Sequence, residues 1–179
     1  MANEVYVSIL EKGVGAWNQW RVDNAEARPD LTGIDLSKKQ LQRANFRDVD
    51  LTGAVLDRAE LSGADFSHSN LAGVHMVHAN LSRAVLNGTK LPGADLSDSN
   101  LSTANLRGAE LTKAILKAVN FSGADLTKAD FSGADLTNAR LWMKYFGKTP
   151  VAIVKDTIFS GAKLAHVDLS NVDMTRAIR

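Results

Sequence analysis

The chain has 179 residues, 45% hydrophobic but only 6% aromatic, with no cysteine and with 21 basic against 20 acidic side chains. That length suits one domain; no apolar run approaches the ~18 residues of a membrane helix, and residues 1–30 lack the pattern of an export signal, so a cytoplasmic protein without membrane contact is expected. The absence of cysteine excludes disulfides, thiolate zinc sites and cysteine nucleophiles, and a net charge of +1 gives no general argument for a nucleic-acid partner.

Residues 1–28 carry Val7, Leu10, Val14 and Trp17 at spacings of three and four, the apolar stripe of a short helix, and Pro29 closes the segment. Its polar residues Glu4, Glu11, Lys12 and Arg21 do not form the basic face of a membrane-surface helix. The segment is therefore predicted to be an N-terminal helical cap, with Trp17 and Trp20 over the first layer of the core.

Residues 29–141 repeat with a period of five. Every fifth residue from Leu31 to Leu141 is apolar: of 23 positions, 18 are Leu, four are Phe (Phe46, Phe66, Phe121, Phe131) and one is Met76. Two residues before each centre from Leu36 onward stands a second column of 22 positions, of which 14 are Ala; only Ile34 and Lys39 are neither Ala nor Ser, Thr or Val. The unit reads A(D/N)LxG or A(D/N)LSx, as in Ala64-Asp65-Phe66-Ser67 and Ala94-Asp95-Leu96-Ser97. Five fits neither a helix of 3.6 residues per turn nor a strand of period two, so a turn must reset the chain in every unit. Nine of the 13 glycines lie two residues after a centre, where a type II turn requires positive φ. Gly33, Gly53, Gly73 and Gly93 recur every twenty residues, as do Ser62, Ser82, Ser102 and Ser122, so four units close one circuit. With neighbouring strands ~4.8 Å apart, about seven circuits form a rod roughly 34 Å long.

The frame fails at residues 142–153. Trp142, Tyr145 and Phe146 stand beside Lys144 and Lys148, and Lys144 cannot occupy an inward small position. The repeat resumes over 154–179 with centres at Val154, Phe159, Leu164, Leu169 and Met174, a shift read as three extra residues bulging from the rod as a loop. That loop either packs back on the coil or forms a binding hot spot for a partner. No cap is evident after Met174, and an open edge invites pairing with a second copy; a homodimer through the C-terminal coil is one expectation and a chain continuing past Arg179 the other.

From Leu31 to Leu141 the pattern resembles the pentapeptide-repeat family. The resemblance implies an all-β solenoid, a right-handed quadrilateral β-helix, and a helical cap such as some bacterial members place before the coils. Some members resemble duplex DNA in shape and negative charge and so occupy the DNA-binding saddle of type II topoisomerases. Mimicry of that kind needs a sustained acidic face, whereas residues 31–141 hold 12 Lys/Arg and 12 Asp/Glu of interspersed sign. Neither a DNA mimic nor a DNA binder is favoured.

A rod filled with Leu and Ala offers no concavity for catalysis, so neither enzyme activity nor a cofactor is expected. His75 and His78 flank Met76 closely enough to meet, with Asp57, Asp95 or Asp98 as a third metal ligand, but they read more simply as solvated surface histidines, and no metal site is assigned. At the outward position before the centre, Val55 and Ile115 replace the usual Asp or Asn; with His75 and Val77 they suggest an apolar strip on one side. The function read from the sequence is a non-enzymatic scaffold contacting an unidentified protein through that strip and the loop residues Trp142, Lys144, Tyr145, Phe146 and Lys148.

Overall fold

A computed structural model of the chain describes residues 2–142 and 151–178. The repeats wind into a four-sided parallel solenoid. Its first side is the column Asp30, Asp50, Asn70, Lys90, Glu110, Asp130, Ile158 and Ile178; the second starts at Asp35, the third at Gln40 and the fourth at Asn45, each paired in parallel with the residue one circuit on. Every centre from Leu31 to Leu141 is at most 5% exposed, so four stacks of centres, one from each side, fill the interior along that length with the small residues between them.

Each position in the unit has a backbone reason. Around Leu51, the Leu51 N–H donates to Asn70 O (2.8 Å), the Gly53 N–H to Ala72 O (2.9 Å), the Ala54 N–H back to Leu51 O (2.9 Å) and the Val55 N–H to Ile34 O (2.9 Å). Only the N–H of residue 52 is left over, and the Asp50 carboxylate accepts it at 3.0 Å together with the Thr52 hydroxyl at 2.6 Å. The same clasp recurs at Asp95–Ser97 and Asp135–Thr137, which is why Asp or Asn precedes the centre and Ser or Thr follows it. Ala on the inner wall keeps the circuit narrow enough for one Leu per side.

The residue two after each centre has positive φ throughout 33–138, with 13 non-glycine residues among them, so the expected turn is present at every corner of these coils. A left-handed non-glycine residue costs roughly 1 kcal/mol, and crowding adds to it where a coil neighbour intrudes. A Cβ on Gly73 would meet nothing within 4 Å, whereas one on Gly88 would lie 2.7 Å from His68 Nδ1. Gly73→Ala should therefore lower stability by about 1 kcal/mol and Gly88→Ala by more. In a His68→Ala background Gly88→Ala should fall back to the Gly73→Ala value, as read from urea midpoints.

The clasps also set the response to acid. The Thr137 hydroxyl is the main cause holding the Asp135 carboxyl below the usual carboxylate range, against some desolvation, with the Thr137 N–H, Lys163 and Lys117 adding to it; Asp173 is lowered the same way by Thr175. A carboxyl with a depressed folded-state pKa stabilises the fold above its unfolded pKa of about 3.9 and stops doing so as pH falls through the folded value. The urea midpoint should be flat from neutrality to about pH 5 and decline below about pH 4, with a shallower decline in Asp135→Asn.

The N-terminal segment is two helices rather than the single one expected: α1 Glu4–Glu11, capped by the Asn3 side chain accepting from the Val5 N–H at 3.0 Å, and α2 Val14–Asp23. Gly13 at φ +98° breaks the run, so Val7 and Leu10 lie on one helix while Val14 and Trp17 lie on the other. Trp17 is buried against Phe46 of the fourth side (centroids 5.8 Å) and Trp20 (5.7 Å).

Helix α2 takes the place of a preceding coil on that fourth side. Asn18 Oδ1 accepts from the Asn45 N–H at 2.8 Å, Trp17 Nε1 donates to Asn45 O at 2.7 Å, and Arg21 Nη2 donates to Arg47 O at 2.7 Å. One circuit up, the equivalent three bonds are Asp65 N–H to Ala44 O, Phe46 N–H to Asp65 O and Asp48 N–H to Ser67 O. Residues 17, 18 and 21 share one face of the helix, so the side chains that seal the core also satisfy the open edge.

The interruption differs from its expected size. Leu126 donates to Ile153 O and Asp125 pairs with Ile153, so Val154 is the next centre after Leu141 and eight residues, not three, are extra. Trp142 pairs antiparallel with Val151, closing the stem of the loop at the corner between the third and fourth sides.

Candidate interaction surfaces

Of the loop residues singled out, Trp142 lies at this stem, half-buried, one rung above Ser122 in the column that begins with Gln42. Lys144, Tyr145, Phe146 and Lys148 lie outside the described residues. Trp142 lines a cleft of about 220 Å³ with Arg140, His166 and Asp168. Beside it a second cleft, about 400 Å³, runs between Ile153 and Lys155 on one coil and Asp173 and Arg176 on the next. Both exist because the last coil pairs with its neighbour on the first and second sides, at Asp130–Ile158, Ile158–Ile178 and Asp135–Lys163, but not on the third and fourth among the described residues.

On the second side the column runs Asp35, Val55, His75, Asp95, Ile115, Asp135 and Lys163. The structure brings Val55, His75 and Val77 together and sets Ile115 apart, beyond Asp95. Without Asp or Asn at position 75, the Val77 N–H loses its usual clasp; Asp57, one coil earlier, supplies the acceptor at 2.9 Å. This carboxylate crosses from one circuit to the next and ties the patch to its neighbour. His78 stands at the corner after this side and His68 at the corner after the fourth, and no group of three or more His, Asp or Glu among the described residues is placed to hold a metal ion.

Charge alternates on the surface. Arg107 pairs with Asp125 at 3.0 Å, Arg176 with Asp156 at 2.9 Å, and Lys117 and Lys163 both approach Asp135 at 3.7 Å, each a bond between successive coils. Such exposed pairs contribute little stability.

A third concavity lies at the N-terminal end, about 230 Å³, between the helices and the first coil, lined by Val7, Leu10, Val14, Ile34, Leu36 and Leu41 with Glu11, Asp35, Lys39 and Gln40 at its rim. It was not foreseen from the sequence, although its signal is there: Ile34 and Lys39, the two residues that break the small-residue rule, both line it.

A profile of pentapeptide repeats matches residues 30–142 and 152–178, in eight copies. No curated protein sequence matches the chain. Among solved structures, HetL, involved in heterocyst differentiation regulation in the cyanobacterium Nostoc sp. strain PCC 7120, is 33% identical over 84% of this chain and 70% of its own, with a TM-score of 0.47. A trypsin-treated form of QnrB1, a plasmid-mediated fluoroquinolone resistance protein, is 27% identical over 84% of this chain and 76% of its own, with a TM-score of 0.57. Members of this family form right-handed quadrilateral β-helices, and they are generally structural or interaction proteins rather than enzymes. With the five-residue unit, the four-sided winding and the matched profile in agreement, the chain belongs to the pentapeptide-repeat family.

Proposed function

We propose that the protein is a non-enzymatic scaffold of about seven coils, working in the bacterial cytoplasm, that presents rigid sides to a protein partner. The observation that supports this best is the interior: from Leu31 to Leu141 it is filled by one side chain per side, so the outward residues are held at fixed spacing on a backbone with little freedom to rearrange. Preorganisation of that kind lowers the entropy cost of association. The primary contact in this reading is the loop with Trp142, Lys144, Tyr145, Phe146 and Lys148, and the secondary one is the patch of Val55, His75 and Val77 with Ile115 beyond it. Affinity capture with the wild-type protein and with Trp142, Tyr145 and Phe146 changed to Ser tests it. A partner retained by the first and lost by the second is expected; capture indifferent to the change overturns the role of the loop. A second copy joined at the C-terminal coil is part of the same proposal, and a monomeric mass by light scattering at tens of micromolar overturns that part.

The likeness to QnrB1 favours a second reading, a DNA-mimicking regulator of a type II topoisomerase. The balanced charge of residues 31–141 argues against it. Gyrase supercoiling is expected to be unchanged by the protein at micromolar concentration, and inhibition or relief of drug inhibition would reverse the order of the two readings.

A further inference from the structure

The cap supplies the bonds of a preceding coil on the fourth side and one such bond on the first, Asn3 N–H to Asp30 O at 2.9 Å, and leaves the second and third sides open. On the third side the equivalent groups, the Gln40 N–H, the Gln40 carbonyl and the Gln42 carbonyl, have no protein partner among the described residues. One circuit on, the Glu60 N–H bonds Lys39 O, the Glu60 carbonyl accepts from Leu41 and the Ser62 carbonyl accepts from Arg43. The open edge thus offers one donor and two acceptors in the register that an added parallel strand would satisfy.

Two further observations specify the strand. Directly beside the edge lies the 230 Å³ groove with Leu10, Val14, Ile34 and Leu41 in its wall, room for one apolar side chain. Along the edge itself stand Lys38, Lys39 and Arg43, three exposed cations against the two carboxylates of the groove, Glu11 and Asp35, and none of the three forms an ion pair among the described residues. Cations on a strand edge discourage pairing with another basic edge, and the same charges select an acidic one.

We propose that the Gln40–Gln42 edge with the groove beneath the cap is a strand-addition site for an extended, acidic segment of a partner protein carrying one apolar residue. The segment runs parallel to Gln40–Gln42, accepts from the Gln40 N–H, donates to both carbonyls, and buries its apolar residue against Leu10 and Leu41. Main-chain bonds supply affinity in such a mode, and the pocket with the flanking charges supplies selectivity. The site is separate from the loop and from the Val55 patch, so it stands or falls independently of them.

A fluorescein-labelled peptide, acetyl-Glu-Asp-Ala-Asp-Leu-Ser-Gly-Glu-amide, tests the proposal by anisotropy with the full chain. Saturable binding is expected, weakened at higher salt, reduced at least tenfold in Lys38→Glu/Lys39→Glu, and accompanied by slower exchange of the Gln40 amide. Changing Trp142, Tyr145 and Phe146 to Ser should leave it unaltered. No saturation up to about 1 mM overturns the proposal, as does equal binding of a peptide with lysine in place of each acid, or a Gln40 amide whose exchange is indifferent to saturating peptide. Gln40→Pro removes the donor and should abolish binding; where that variant fails to fold, amide exchange in the wild-type chain decides.

Discussion

Phe66→Ala is expected to lower stability by about 3–5 kcal/mol, the usual range for removing a fully buried aromatic ring. Phe66 is completely buried in the second coil, and its ring stacks on Phe46 of the first at 5.2 Å with the planes 17° apart. The backbone bonds around it survive the change: the Ser69 and Thr89 hydroxyls both donate to Phe66 O, at 2.6 and 2.8 Å, and neither depends on the ring. What is lost is the filling of a narrow interior that cannot collapse, because the four walls are held apart by their own ladders. Phe66→Leu should cost no more than about 1.5 kcal/mol, since Leu occupies most of the other centres. In a solenoid each coil contacts only its neighbours, so the gap should also uncouple the two ends. Hydrogen exchange should show the amides of the first coil, Leu31 to Val49, opening at lower denaturant than those of Leu91 to Ala129 in the variant and together with them in the wild type.

Trp17→Ala should be about as severe, roughly 3–5 kcal/mol, for a compound reason. The indole is fully buried between Phe46 and Trp20, and its Nε1 makes one of the three bonds by which α2 stands in for a coil. Removing it strips the cover from the core and leaves Asn45 O without its donor. Trp17→Phe separates the two: the ring contact is largely kept, the hydrogen bond is lost, and a cost of about 1–3 kcal/mol is expected. The Trp17→Ala chain should also aggregate near its unfolding midpoint, because the fourth side of the first coil then joins the second and third as an unpaired edge. Light scattering followed through a urea titration reads both effects; a Trp17→Ala variant as stable as Trp17→Phe would show that packing on Phe46 contributes nothing.

The solenoid was legible because its cause is local and repeated. A five-residue unit whose inward positions are Leu and Ala, whose turn tolerates positive φ and whose Asp or Asn clasps the leftover N–H carries its conformation in each copy, and the recurrence every twenty residues counts the sides. The ends and the interruption are not repeated, and there the reading was coarser. The stripe Val7, Leu10, Val14 and Trp17 fits one helix as well as two, because spacing alone does not register the break at Gly13. The resumed centres at Val154 and Phe159 were visible, but a frame shift is known from sequence only modulo five, so three extra residues and eight look alike until Asp125 is seen to pair with Ile153. The column that holds Val55 and Ile115 also holds Asp95 between His75 and Ile115, a placement the twenty-residue recurrence gives as directly as the bridges do.

The amino-acid sequence by itself determined the period, the four sides, the filling of the interior and the balanced charge of the surface, since each is a property of one unit copied along the chain. The tertiary structure alone decided how the rod begins. Which side α2 covers, that Asn18, Trp17 and Arg21 reproduce the bonds of an absent coil, and that the Gln40–Gln42 edge stays open beside an apolar groove all depend on how two short helices dock against a single coil, and no repetition in the sequence encodes that.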